Sequence, residues 1–149
     1  MITVDTNVLV YIYDGYDPGR QAAAIRVFQQ LTVRRAPVAR QVIGELHNVL
    51  RRKLARPAWE AAQAARTMLA AFDASFPASE RAVEDALAQA SAGRLSYWDA
   101  LLAASARDAG CSILISEDMH PGTLLSIEIV KPFDVSGQFS DRIKGLLEL

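Results

Sequence analysis

Three short apolar runs separated by long helical stretches place the strongest constraint on how this chain folds. The runs cover residues 2–4, 111–116 and 127–130, and all contain β-branched side chains, as buried strands do. The stretches between them have the apolar spacing of amphipathic helices, and no hairpin-type turn joins two strands. This pattern predicts a single α/β domain over residues 1–149, a three-layer α/β/α sandwich around a mainly parallel central sheet.

The composition narrows the class of protein. Hydrophobic residues make up 51% of the 149 residues, which supports a substantial core and excludes a disordered chain. No apolar run approaches the roughly 18–20 residues of a membrane span, and the N-terminus lacks a secretory signal pattern. Cys111 is the only cysteine, so an intrachain disulfide is excluded and a zinc cluster is disfavoured. We therefore expect a cytoplasmic protein without a membrane partner.

The apolar periodicity also predicts where the helices lie. We expect helices over residues 8–13, 21–31, 41–54, 57–72, 80–90, 97–109 and 140–149. Residues 36–39 are expected to be extended, and Phe76 to lie in a minor strand.

Two acids stand at the ends of the first two apolar runs. Asp5 directly follows the first run, and Asp118 follows the second by two residues. Carboxyl ends of parallel strands share one edge of a sheet, and open α/β sheets bind ligands at that edge. The alternatives are that Asp5, Thr6 or Asn7 caps the next helix, and that Asp118 belongs to a turn before His120.

Two further acids fall on apolar helix faces, where charged residues rarely lie without a partner. Glu45 shares its face with Val42, Leu46 and Val49, and Asp99 shares its face with Leu95, Trp98, Leu102, Ala103 and Ala106. Alternatively, Glu45 pairs with Arg40 or Arg52, and Asp99 completes a capping box that begins at Ser96.

One shared site explains all four acids more economically than four separate roles. Converging carboxylates repel one another unless a cation lies between them. Hard oxygen ligands suit Mg²⁺ or Mn²⁺, which polarise a phosphoryl oxygen and activate a water for attack.

A basic stretch between residues 34 and 56 offers a surface for phosphates. It contains seven basic residues and one acid, Glu45, although the net charge of the chain is −1. We expect Arg40, Arg51 and Arg52 to contact phosphate groups. A solvated helix surface is the alternative reading of the same residues.

The ordered motifs resemble the PIN-domain family and, within it, VapC-like toxins of bacterial toxin–antitoxin pairs. The matching segments are Val4-Asp5-Thr6-Asn7-Val8-Leu9, Gly44-Glu45-Leu46, Trp98-Asp99-Ala100-Leu101-Leu102-Ala103-Ala104 and Ile115-Ser116-Glu117-Asp118-Met119. They extend over nearly the whole chain in the order that the family has.

The resemblance implies a metal-dependent endoribonuclease acting on single-stranded or structured RNA, with Mg²⁺ or Mn²⁺ as cofactor. It implies that the catalytic acids are Asp5, Glu45, Asp99 and Asp118, of which Asp5, Asp99 and Asp118 hold the metal. Thr6 or Asn7 would position Asp5 or a metal-bound water. The resemblance leaves open whether Glu117 or Asp118 is the fourth acid, and the Ser-Glu-Asp stretch favours Asp118. It also implies a homodimer and a small antitoxin partner.

Two rival functions remain. A phosphatase with an aspartyl nucleophile usually needs a second acid two residues after the first, where this chain has Asn7. A catalytically inactive RNA- or protein-binding module has no need for four mutually repelling carboxylates.

We expect Tyr97 and Trp98 to pack in the core rather than stack on a base.

Overall fold

The computed structural model describes all 149 residues and contains six strands and seven helices. The strands are β1 (Ile2–Val4), β2 (Pro37–Ala39), β3 (Ala74–Phe76), β4 (Ile113–Ile115), β5 (Gly122–Leu124) and β6 (Ile127–Val130). The helices are α1 (Thr6–Val10), α2 (Pro18–Val33), α3 (Arg40–Arg52), α4 (Ala58–Ala71), α5 (Glu80–Ser91), α6 (Tyr97–Asp108) and α7 (Asp141–Leu147).

The central sheet has the strand order β1-β4-β6-β5. The pairs β1–β4 and β4–β6 are parallel, and Val4, Ile115 and Val130 align across them. A second, two-stranded parallel sheet pairs β2 with β3. It lies beside β1, where the Thr3 hydroxyl donates a hydrogen bond of 2.9 Å to the Pro37 carbonyl. The prediction of an α/β fold with a mainly parallel sheet is confirmed.

The core is built from the parallel strands and the helices that cover them. Val4, Leu114 and Ile115 are fully buried in the sheet. Helix α6 is buried along residues 100–106, most of which are alanine or leucine. Because small side chains allow close approach, α6 packs tightly against α5. None of the helices combines the length and the hydropathy that crossing a membrane requires.

The hairpin between β5 and β6 is a difference from the sequence prediction. The two strands pair antiparallel through Leu125 and Ser126, which have positive φ angles of 48° and 69°. Tight hairpins with two such residues are usually recognised by Asn-Gly or Asp-Gly. Because this turn uses neither, no residue pattern marks it, and the expectation that no hairpin joins two strands was wrong.

Two helices also begin earlier than expected. Helix α1 begins at Thr6, directly after the capping residue Asp5. Helix α2 begins at Pro18, since the Asp17 side chain accepts a hydrogen bond from the Arg20 N–H and Pro18 suits the first helical turn.

Candidate metal-binding active site

The four predicted acids line one open cavity with a volume of about 910 Å³. Asp5 lies at the carboxyl end of β1, and Asp118 lies in the loop after β4. Glu45 comes from the middle of α3, and Asp99 from the first turn of α6. Four separate elements therefore bring carboxylates to the same place, at the sheet edge where α/β folds bind ligands.

Asp5 is the most buried and most constrained of these acids. Its residue is 7% exposed, and its carboxylate accepts hydrogen bonds from the Thr6 N–H (2.6 Å), the Ser116 hydroxyl (2.7 Å) and the Asn7 amide (3.1 Å). Burial raises the pKa of Asp5 from 3.8 to about 6. The hydrogen bonds from Ser116 and Thr6 oppose that rise, whereas the negative charges of Glu45 and Asp99 add to it.

Glu45 is held by two donors on its two oxygens. The Thr6 hydroxyl donates to one at 2.7 Å, and the Gln41 amide donates to the other at 2.7 Å. The same Gln41 nitrogen donates to the Trp98 carbonyl at 3.0 Å, which ties α3 to the first turn of α6. Gln41 thus fixes the spacing between the helix that carries Glu45 and the helix that carries Asp99.

Asn7 links the two strand ends. Its amide nitrogen donates to Asp5, and its amide oxygen accepts the Glu117 N–H at 3.2 Å. The contacts of Thr6 and Asn7 are those expected of residues that orient acids, and their catalytic importance stays a prediction. Sequence reasoning missed Ser116, a fully buried hydroxyl between an apolar strand and two acids.

Of the capping box predicted at Ser96 and Asp99, the structure forms only the bond to the Ser96 side chain. The Ser96 hydroxyl accepts the Asp99 N–H at 3.1 Å, so Ser96 caps α6. This bond uses the backbone of Asp99 and leaves its carboxylate in the cavity. A capping position and a site position are therefore compatible in one residue.

The sequence model of the PIN domain matches this chain over residues 2–120, which is most of its length. The chain belongs to the PIN domain family. The matched range contains all four acids of the cavity.

Solved structures share this PIN fold at low sequence identity. VapC20 from Mycobacterium tuberculosis, a toxin that cleaves the sarcin–ricin loop, is 21% identical with a TM-score of 0.61. The match covers 76% of this chain and 87% of VapC20. A search of curated protein sequences gave no significant match.

Two further similar structures are complexes with DNA. VapBC2 from Rickettsia felis, bound to a promoter fragment, matches at 14% identity and a TM-score of 0.64, over 88% of this chain and 98% of the other. FitAB bound to the IR36 DNA fragment matches at 17% identity and a TM-score of 0.62, over 89% and 95%.

The adjacent acids Glu117 and Asp118 have different surroundings in this PIN domain. The Glu117 carboxylate accepts a hydrogen bond from Arg20 at 2.5 Å, and Arg20 also donates to the Tyr11 hydroxyl at 2.7 Å. Lys131 donates to the Glu117 carbonyl. Glu117 does not line the cavity, whereas Asp118 does. The geometry therefore favours Asp118 as the fourth acid and gives Glu117 a supporting position.

The three arginines predicted to bind RNA are exposed and lie outside the cavity wall. Arg40 donates to the Ser75 hydroxyl at 3.3 Å, and Arg51 donates to the Arg56 carbonyl at 2.6 Å. The basic residue that does line the cavity is Lys53, at the end of α3. Arg40, Arg51 and Arg52 are exposed on the surface of the protein, and their RNA-binding role stays a prediction.

Tyr97 and Trp98 have different surroundings in the structure. Tyr97 packs against a small buried cluster of Ala82, Ala86, Ala100, Leu101 and Ala104, as expected. Trp98 is 60% exposed and lines the cavity, so the expectation that it packs in the core was wrong. The alanine-rich face of α6 makes the packing contacts, and Trp98 lies outside that face.

The donor set fits a hard divalent cation held partly through water. No three acidic, histidine or cysteine side chains lie close enough in this conformation to enclose an ion by themselves. Asp5 and Glu45 are fixed by their hydrogen bonds, whereas no hydrogen bond within the chain holds the carboxylates of Asp99 or Asp118. Mg²⁺ usually keeps several waters and needs only one or two protein carboxylates, which this open cavity accommodates.

Proposed function

We propose that this PIN domain is a metal-dependent endoribonuclease and the toxin of a toxin–antitoxin pair. The observation that carries the proposal is the convergence of Asp5, Glu45, Asp99 and Asp118 on one cavity from four separate elements. Burial of Asp5 among other acids raises its pKa, and such a perturbed carboxylate in a cleft is typical of a functional site.

Asp5, Asp99 and Asp118 would hold Mg²⁺ or Mn²⁺, directly or through water. When bound, this ion supplies positive charge for the phosphate and lowers the pKa of a water that attacks it. Because Ser116, Thr6 and Asn7 hold the Asp5 carboxylate in one orientation, little reorganisation is needed there when substrate binds.

Glu45 has a distinct role in the proposal. Thr6 and Gln41 fix its carboxylate beside Asp5, so it is placed to help hold the metal or to orient the attacking water. Lys53 adds a positive side chain to the same wall and offers a contact for a phosphate. Arg40, Arg51 and Arg52, which are exposed on α3, would contact the RNA backbone outside the cavity.

The proposed toxin role rests on the solved structures that share the fold. VapC20 is a toxin that cleaves the sarcin–ricin loop, VapBC2 is bound to a fragment of its promoter, and FitAB is bound to a DNA fragment. We accordingly propose a small antitoxin as the partner, a homodimer as the working form and the cytoplasm as the place of action.

The rival function is a catalytically inactive binding module on the same fold. It would use the cavity to hold RNA or protein without cutting, and it would not require a metal. The dependence of any cleavage on a divalent cation separates the two functions.

The test is cleavage of two labelled RNAs, one unstructured and one with a stem and loop, in Mg²⁺, in Mn²⁺ and in EDTA. We expect internal cuts in at least one RNA with either metal and none in EDTA, because water activation depends on the cation. Cuts of equal intensity in EDTA would contradict metal-dependent hydrolysis. Intact RNA in every lane, with the RNA retained by the protein, would favour the binding module.

A further inference from the structure

Trp98 is a large apolar side chain in an unusual place. It is 60% exposed, lines the cavity and directly precedes Asp99. The other tryptophan, Trp59, is 72% exposed at the start of α4 and does not line the cavity. The chain therefore has one indole in the site and one outside it.

The backbone and ring of Trp98 are held in place by neighbours. Tyr97 meets the indole edge to face, with ring centroids 5.0 Å apart and planes at 76°. Gln41 donates to the Trp98 carbonyl and also to Glu45. The position of the indole is thus coupled to the position of the acids, while much of its surface stays open to solvent.

The charge of the cavity indicates what this surface contacts. Lys53 is the only basic residue among the lining residues, against four predicted metal-site acids and Asp14. Without a bound cation, this acidic wall repels a phosphate backbone, so contacts with RNA at the cavity itself are favoured where the contacting group is uncharged. A nucleobase is planar and uncharged, and stacking on an aromatic ring is such a contact.

We propose that Trp98 is a stacking platform for an unpaired nucleobase next to the phosphate that is cut. The inference rests on the proposed ribonuclease function and deepens it by naming the feature of the substrate that the site recognises. A base within a duplex has both faces covered by its neighbours, so Trp98 selects nucleotides that are unpaired and unstacked. Any of the four bases offers a π-face, so the platform selects exposure of a base more than its identity.

The first test is steady-state cleavage of one unstructured RNA by wild type, Trp98→Ala, Trp98→Phe and the matched control Trp59→Ala. We expect Trp98→Ala to raise KM about tenfold with kcat changed by less than about threefold, since stacking contributes to binding in ground and transition states alike. Trp98→Phe should recover most of the loss, and Trp59→Ala should match wild type. A Trp98→Ala enzyme with wild-type KM would overturn the platform and leave Trp98 as a contact for a protein partner.

The second test does not depend on cleavage. In the double variant Asp5→Asn/Trp59→Phe, Trp98 is the only tryptophan. Titration with a mixed-sequence single-stranded RNA is expected to quench its fluorescence, and an abasic strand of equal length and charge is expected not to. Equal responses to the two strands would overturn the inference. If the wild-type protein cleaves no RNA but the double variant shows this quenching, the nuclease proposal fails. The proposal that Trp98 stacks on an unpaired base is then still supported.

Discussion

Replacing Asp5 with asparagine is expected to reduce metal-dependent RNA cleavage by at least about a thousandfold, a loss of about 4 kcal/mol of transition-state stabilisation. The side chain keeps its size but loses the charge that would hold the cation. Both oxygens of the Asp5 carboxylate accept hydrogen bonds from Ser116, Asn7 and the Thr6 N–H. An asparagine side chain has one oxygen and one NH₂ group, so its NH₂ group would face a hydrogen-bond donor. Cleavage rates under saturating Mg²⁺ measure the effect.

The matched control is Asp141→Asn, an exposed acid at the start of α7 that does not line the cavity. It should cleave like wild type. If expression of the wild-type chain arrests growth, Asp5→Asn should relieve the arrest and Asp141→Asn should not. Undiminished cleavage by folded Asp5→Asn, verified by its circular dichroism spectrum and melting curve, would remove Asp5 from the catalytic set.

The metal-free protein is expected to lose stability as the pH rises through 6. Asp5 has a pKa of about 6 in the folded chain and 3.8 as its ordinary value, so between these values the folded state binds more protons than the unfolded state. Stability from protonated Asp5 is therefore fully present below about pH 3.8 and is lost as the pH rises through 6. The shift corresponds to about 2–3 kcal/mol.

Urea unfolding in EDTA at several pH values measures this effect. The relevant quantity is the free energy of unfolding of wild type minus that of Asp5→Asn, because the subtraction removes most other titrating groups. This difference should fall by about 2–3 kcal/mol between pH 4 and pH 7 and change little above pH 7. A difference that rises with pH would mean that Asp5 is stabilised as a carboxylate, contrary to its buried surroundings.

The main features of the fold follow from simple patterns. The apolar runs around Val4 and Leu114 had to be buried strands, and parallel pairing then placed Asp5 and Asp118 at one edge. The helical spacing of Glu45 put it on an apolar face of α3, and the structure has it half-buried. These features could be predicted because apolar runs and helical spacing are properties of the local sequence.

Other features depend on contacts between distant residues and were not predicted. Gln41 and Ser116 are uncharged, and only the folded chain shows that both donate to site acids. Trp98 is apolar, and the residue type alone does not distinguish a buried core position from an exposed position in the cavity lining. The turn at Leu125 and Ser126 adopts positive φ without glycine or asparagine, so tertiary packing rather than turn chemistry selects it.

Calorimetric titration of the RNA-free protein with Mn²⁺ at pH 7.5 shows whether the four acids form one metal site. We predict saturable binding by wild type and Asp141→Asn, and none by Asp5→Asn or Asp99→Asn, because these two acids come from different elements and share one ion. Failure of wild type to bind Mn²⁺, or unchanged binding by both Asp5→Asn and Asp99→Asn, would contradict the shared site.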